Sequence, residues 1–311
     1  MPGQPSTSRS SKQPAAKVRS KGGAGNGAGF RPAVLAFLAG SISALLQAQT
    51  LPLEPAHESG ASVTGAFEGW FKNPDGSFNL LLGYYNRNQK QEVDVPVGPE
   101  NRIEPGGPDR GQPTHFLPGR GWGLFAIRVP ADFGDSKLLW TIAANGQTTV
   151  IPASLKPDYE ISPLVEAAVG NTPPVLSFEE NGPSVQGPQG LAVVRTAKVG
   201  TPLTLTVWVS DDAKFTTSSG ARPRTPAAPV TLRWIEYRGA GALFSQERPE
   251  VEKVERKSVT APFSGKASTT VTFRAPGEYW LHLTANDYSG EGGAGFQCCW
   301  TNGLVKVSVS P

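Results

Sequence analysis

Cys298 and Cys299 are the only cysteines in 311 residues, and they stand side by side. A thiolate is both nucleophile and metal ligand, so redox or metal chemistry would start at this pair. Neighbouring Cα atoms lie about 3.8 Å apart across a trans peptide, less than the roughly 4.4–6.8 Å a disulfide usually spans. Within a regular strand the two side chains would also point to opposite faces. Three states stay open: a vicinal disulfide in an irregular segment, two separate thiols, or a bridge to another chain. Adding His282 still leaves the set short of a four-ligand zinc site, so no metal is expected. A vicinal ring would act as a rigid bend presenting Trp300, or as a reducible redox element.

Two further groups of residues could bind. Trp70, Phe71, Tyr84, Tyr85 and Trp122 supply rings that can stack on the apolar faces of sugars. Trp70/Phe71 and Tyr84/Tyr85 are adjacent pairs, so one ring of each should face outward unless the strand is covered on both sides. Trp70, Tyr84 and Trp122 are the candidate binding rings. The polar stretch Asn101–Arg120 holds Arg102, Glu104, Asp109, Arg110, Gln112, His115 and Arg120. Loops of this length are uncommon in compact domains unless they are functional or disordered. Arg102, Arg110, His115 and Arg120 are its candidate contacts, against the plainer alternative of a Pro-braced surface loop.

Catalytic templates are sparse. The chain has three histidines, no Gly-x-Ser-x-Gly and no His-Glu-x-x-His. Asp211-Asp212, Glu179-Glu180 and Asp287 match no calcium-loop spacing and read as solvated turn acids. Paired carboxylates for glycoside hydrolysis are set by spatial separation, which sequence does not display. The reading is a non-enzyme without a cofactor, with a polysaccharide- or peptide-acting hydrolase and a redox-sensitive factor as alternatives.

The elements that must hold these groups read as strands. The 36 Gly and 29 Pro make up about a fifth of the chain, which suits short strands between turns rather than helices. Val63–Phe71 and Ser77–Tyr85 flank the turn Asn73-Pro74-Asp75-Gly76. Glu92–Val97 should be a strand with Val93, Val95 and Val97 on one face, and Pro99–Gly121 a long surface loop. Leu124–Val129, Leu138–Ala143 and Gln147–Ile151 follow, the last two joined at the hairpin signal Asn145-Gly146. Pro163–Ala168 could be a short helix. Beyond it, Leu191–Lys198, Leu203–Val209, Val230–Tyr237, Ser268–Phe273, Glu278–Ala285 and Leu304–Val309 read as six more strands, and the charged Gly241–Ser258 as an exposed excursion.

At the N-terminus, six basic residues and no acid precede an apolar run from Ala33 to Leu46. The run is short for a membrane span and ends in small residues at Ala48, as a signal peptide does. Without those six, 23 basic side chains face 26 acidic ones. A weakly acidic body excludes nucleic acid as a partner.

Asn171-x-Pro173-Pro174, Val199-Gly200-x-Pro202-Leu203-Thr204-Leu205, Val230-x-x-x-Trp234 and Pro276-Gly277-x-Tyr279-Trp280-Leu281-x-Leu283-Thr284-x-x-Asp287 resemble PKD-like and immunoglobulin-like modules. The resemblance spans about 171–311 and implies a β-sandwich. It departs at Glu236-Tyr237-Arg238-Gly239, where such modules carry a Phe-Gly-Asp-Gly-type turn, and at the inserted Gly290–Trp300. Gly69-Trp70, Asn73-x-Asp75-Gly76-Ser77-Phe78, Gly83-Tyr84-x-Asn86-Arg87-Asn88 and Gly111-Gln112-Pro113-Thr114-His115-Phe116 are similar to a stretch of uncharacterised exported bacterial proteins, which implies no activity.

The sequence therefore predicts an all-β protein of two β-sandwich domains, the second Ig/PKD-like, behind a disordered signal region. The expected boundaries are 1–48 signal peptide, 49–60 linker, 61–156 first domain, 157–174 linker and 175–311 second domain. The expected role is a periplasmic or secreted binding or structural module. Its partner would be an envelope or extracellular protein, or a glycan, and no membrane span would remain after signal cleavage.

Overall fold

The computed structural model describes residues 57–167, 169–214, 230–252, 262–287 and 298–311. The signal region, the first part of the expected linker, the end of the charged excursion and most of the Gly290–Trp300 insertion lie outside the described residues. The described chain is all-β, with one three-residue 3-10 turn at Pro157–Tyr159.

The first sandwich contains β1 (Val63–Lys72), β2 (Phe78–Asn86), β3 (Val93–Asp94), β4 (Asn101–Glu104), β5 (His115–Phe116), β6 (Gly119–Val129), β7 (Lys137–Ala144) and β8 (Gln147–Ser154). Sheets β1-β2-β6 and β4-β7-β8 face each other, and β3-β5 forms a small third sheet. Trp140 fills the space between them, edge-on to Phe125 at 5.4 Å, among Leu80, Leu82, Ile103 and Ile142. Asn145 and Gly146 both take positive φ, as a tight hairpin between β7 and β8 requires.

The second sandwich contains β9 (Val175–Ser177), β10 (Ser184–Gln186), β11 (Leu191–Lys198), β12 (Leu203–Asp211), β13 (Thr231–Arg238), β14 (Ala242–Phe244), β15 (Phe263–Phe273), β16 (Gly277–Asn286) and β17 (Trp300–Ser310). One sheet runs β10-β9-β12-β15-β14 and the other β11-β17-β16-β13, with β11 parallel to β17. Alternate residues meet in the middle: Trp234, Phe273, Tyr279, Leu281, Leu283, Val305 and Val307 are all buried.

Three expectations are corrected. Residues 163–167 form turns rather than a helix, because the segment is short and has no apolar face to bury. The strand expected at Glu92–Val97 pairs only over Val93–Asp94, although Val93 and Val95 are buried. Pro99–Gly121 is no surface loop: it supplies β4 and β5 and buries Asn101, Ile103, Gln112 and Phe116. Side-chain amides replace a strand ladder here. Asn101 Nδ2 donates to the carbonyls of Val95 (2.9 Å) and Pro113 (2.8 Å), and Gln112 Nε2 donates to that of Pro108 (2.7 Å).

The two sandwiches meet at a bulge. Leu82 pairs with Phe125 and Tyr84 with Gly121, so Trp122, Gly123 and Leu124 stand opposite Gly83 alone. The carbonyls of Gly123 and Leu124 leave the ladder and point at the second sandwich. Gly123 O accepts from Trp300 Nε1 (3.3 Å) and Asn302 Nδ2 (2.6 Å), and Leu124 O accepts from His282 Nε2 (2.8 Å). Gly123 has φ +48°, and an added Cβ would overlap the Trp300 ring. Ala at 123 would combine a left-handed backbone with that overlap. Gly123→Ala should lower unfolding stability by about 2 kcal/mol in urea titrations, whereas exposed substitutions usually stay within about 0.5 kcal/mol.

His282 adds a pH dependence. Its ring is buried against Tyr237 at 5.5 Å, and Nδ1 has no hydrogen-bond partner among the described residues. Burial, with a smaller contribution from Arg233, lowers its pKa to about 4. The unfolded chain binds that proton near pH 6.5, so the folded state binds fewer protons between the two values. Stability present above pH 6.5 should fall by about 3 kcal/mol as the pH drops through 4. Urea midpoints across that range should show the loss, and His282→Gln should flatten this component of the profile.

Candidate functional site

Asn101–Arg120, expected to meet a partner, is held by its own chain. Tyr237 Oη donates to Gly111 O (2.7 Å), Thr114 N donates to Tyr237 O (3.1 Å), and Arg238 Nε donates to Gln112 O (2.8 Å). The Arg238 guanidinium grips Asp109 with two bonds of 2.8 and 2.9 Å and lies over the Trp280 ring at 3.8 Å, with Lys306 Nζ 4.0 Å from the same ring. The hydrogen bond to Arg238 holds the Asp109 carboxyl below its usual range. Asp109 is largely exposed, so that ion pair is worth at most about 1 kcal/mol. The larger share of the docking comes from buried Tyr237 and the bonds to the loop's own backbone.

The loop's candidates are engaged locally. Arg102 bonds Glu104 (2.8 Å), and Arg110 Nη1 donates to Pro105 O (2.9 Å). His115 sits opposite Asp94 in the β3-β5 pair, with Nδ1 2.8 Å from its carboxylate and Nε2 3.5 Å from Glu92. A groove of about 250 Å³ runs beside this junction, lined by Trp280, Lys306, Gln189 and Leu304.

The candidate rings divide. Trp70 is buried, with Nε1 donating to Lys156 O (2.7 Å) and the ring edge-on to Phe78. Phe71 beside it is buried too, because Leu81, Ile161 and Trp300 cover the outer face of the sheet. Tyr84 is buried, with its hydroxyl accepting from Leu117 N (2.9 Å). Trp70 and Tyr84 are therefore core residues, and the outward ring of the tyrosine pair is Tyr85. Tyr85 is 41% exposed and Trp122 46%.

These two rings share a face. Tyr85 pairs across the strands with Arg120, and Trp122 follows Arg120 by two residues. The Arg120 guanidinium lies 4.3 Å from the Trp122 ring centre, and Arg87 lies 5.2 Å from that of Tyr85. Arg120 is anchored by Glu68 (2.8 Å) and by Tyr84 O (2.7 Å). Glu68 is the bulged residue of β1, where Phe67 pairs with Leu82 and Gly69 with Leu81. An added Cβ at Gly83 would collide with both Gly121 O and the Glu68 carboxylate. Bulges in β1 and β6 thus meet around one glycine and place Glu68 beneath the patch. Burial raises the Glu68 carboxyl above its usual range, while the Arg120 charge and the Gly123 N–H pull it down.

Glu68 and Arg87 were not candidate residues from sequence, and Tyr85 stood among the possible stacking rings but not among the candidate binding rings Trp70, Tyr84 and Trp122. Only the period-two rule applied to the Tyr84–Tyr85 pair offered a signal for any of them. Two bulges on either side of β2, in strands far apart in the chain, leave no local pattern.

Cys298 and Cys299 are joined as a disulfide, buried directly before Trp300. Cys299 Sγ lies 3.5 Å from Asn171 O. The turn acids are separately engaged: Asp212 with Lys214 (3.4 Å), Glu179 with Arg195 (3.4 Å), and Asp287 as acceptor from Asn171 Nδ2. Among the described residues no three His, Cys, Asp or Glu side chains converge to hold a metal. No helix among them is long and apolar enough to cross a membrane.

No family model matches the chain, and no curated protein matches it. Among solved structures it is similar to a C. elegans MSP family member, at 10% identity and TM-score 0.23 over 38% of this chain and 92% of that one. It is also similar to domains 4 and 5 of the S-layer protein SbsC, at 13% identity and TM-score 0.21 over 81% and 98%. An endo-fucoidan hydrolase of glycoside hydrolase family 107 matches at 11% identity and TM-score 0.21, over 82% of this chain and 30% of that one. At such scores these likenesses carry no argument about activity or partner.

Proposed function

We propose that the protein is an exported, non-catalytic binding module that docks on an envelope or extracellular macromolecule through its first sandwich. The observation that carries this reading is the exposed Tyr85–Trp122 face. Its rings are braced by Arg87 and Arg120, while the polar loop Asn101–Arg120 is spent on internal docking. Export is read from the basic leader and the apolar run ending at Ala48, and from the paired cysteines.

An immunoglobulin-like assignment for the second sandwich fits its strand order. The β9-β12-β15-β14 and β17-β16-β13 arrangement, with β11 parallel to β17, follows the two-sheet plan of such domains. Trp234 is a buried core tryptophan on β13, and Tyr279 at the start of β16 donates its hydroxyl to Ala275 O (2.9 Å), as a tyrosine corner does.

Glu68 favours a second, hydrolytic reading, since a largely buried carboxyl with a raised pKa beside an exposed patch suits a general acid. Its bonds to Arg120 and Gly123 favour a structural anion instead.

Photo-cross-linking from position 122 in intact cells should capture an envelope or extracellular macromolecule, and the mature N-terminus should be Gln49. An uncut chain retained in the cytoplasm would overturn the export reading. Release of new chain ends from a captured polymer, abolished by Glu68→Gln, would replace the binding module with a hydrolase.

A further inference from the structure

We infer that the Tyr85–Trp122 face is a carbohydrate subsite selective for acidic sugars, uronic acids above all. This rests on the docking reading and names its ligand. Tyr85 pairs with Arg120, and Trp122 opens the bulge two residues beyond it, so the two rings lie on either side of the Arg120 side chain. Two rings so placed can receive a pyranose lying along the sheet. Trp122 has one face against Arg120 and remains 46% exposed, so the ring is held while apolar surface stays free for stacking. A guanidinium–ring contact at an exposed site contributes about 0.5–1 kcal/mol, enough to favour one ring position before any ligand arrives.

The charge preference comes from Arg87. Arg120 is already neutralised by Glu68 at 2.8 Å. Arg87 has no carboxylate partner among the described residues, and its guanidinium is positioned by the Tyr85 ring at 5.2 Å. A free guanidinium binds a carboxylate through two parallel N–H···O bonds, which a neutral sugar cannot form. An acidic pyranose therefore satisfies both halves of the face, ring on ring and carboxylate on Arg87. A protein partner would answer the same rings without requiring a regular spacing of carboxylates.

The test uses the mature protein at about 150 mM salt, so that diffuse charge attraction is screened. Binding to polygalacturonate, alginate and hyaluronan is measured by calorimetry, each beside its carboxyl-reduced neutral counterpart. The expected result is at least tenfold tighter binding to one acidic polymer than to its neutral form. Trp122→Ala should weaken that binding at least tenfold, Arg87→Gln should erase the acid preference, and Val150→Thr, on the distant β8, should change nothing. Melting curves of each variant separate lost binding from lost folding. Equal affinity for acidic and neutral forms would overturn the inference while leaving a glycan-docking module standing. Failure of all three polymers to bind would also overturn it, and the captures made through position 122 in cells would then decide the docking reading separately. Capture of a protein there, abolished by the same ring substitutions, would assign the face to a protein partner and reject the sugar.

Discussion

Two backbone carbonyls, those of Gly123 and Leu124, connect the halves of the molecule. β6 is an edge strand paired only with β2, so a regular ladder would spend one of these two successive carbonyls on β2 and leave the other at the open edge. The bulge in β6 turns them outward, and three side chains of the second sandwich claim them: Trp300, Asn302 and His282. A buried carbonyl without a donor is costly, as is a buried indole N–H without an acceptor. Each sandwich therefore satisfies groups that the other cannot leave unpaired. Trp300 also closes the outer apolar cluster with Phe71, Leu81 and Ile161, so hydrophobic burial and hydrogen bonding reinforce one contact.

The same bulge shapes the exposed face. Extra residues in β1 and β6 converge on Gly83, where no side chain fits. Glu68 drops into that space and fixes Arg120, which in turn fixes Trp122. One irregularity thus sends backbone carbonyls toward the second sandwich and an aromatic ring toward solvent. The cost is a largely buried carboxylate, offset by a guanidinium and a backbone N–H. Bulges concentrate where a strand must re-aim a side chain, and this one re-aims both.

Much of the local structure was legible from residue order. Alternation located β11 at Leu191–Lys198 to the residue, and Asn145-Gly146 marked the β7–β8 hairpin. The short strands β9, β10 and β14 were missed, because three residues are too few to show a period. Of the candidate site, Trp122 and Arg120 belong to the exposed face, whereas Trp70 and Tyr84 went to the core. Polar composition suggested that Asn101–Arg120 was free, yet Asn101 and Gln112 use their amides to satisfy buried backbone. Composition cannot distinguish an amide that meets water from one that meets a carbonyl.

By itself the sequence determined which residues alternate, where the chain turns and that the body is β, because these depend on neighbours within a few positions. Only the tertiary structure decided which outward-facing residues remain outward. His282 reads as the polar face of a half-buried strand and is buried, because Leu124, 158 residues away, lies on it. Trp70 and Phe71 are both buried because Trp300, from near the far end of the chain, joins Ile161 in covering the sheet's second face. Exposure is a property of what packs against a face, and here the partners are separated by more than a hundred residues.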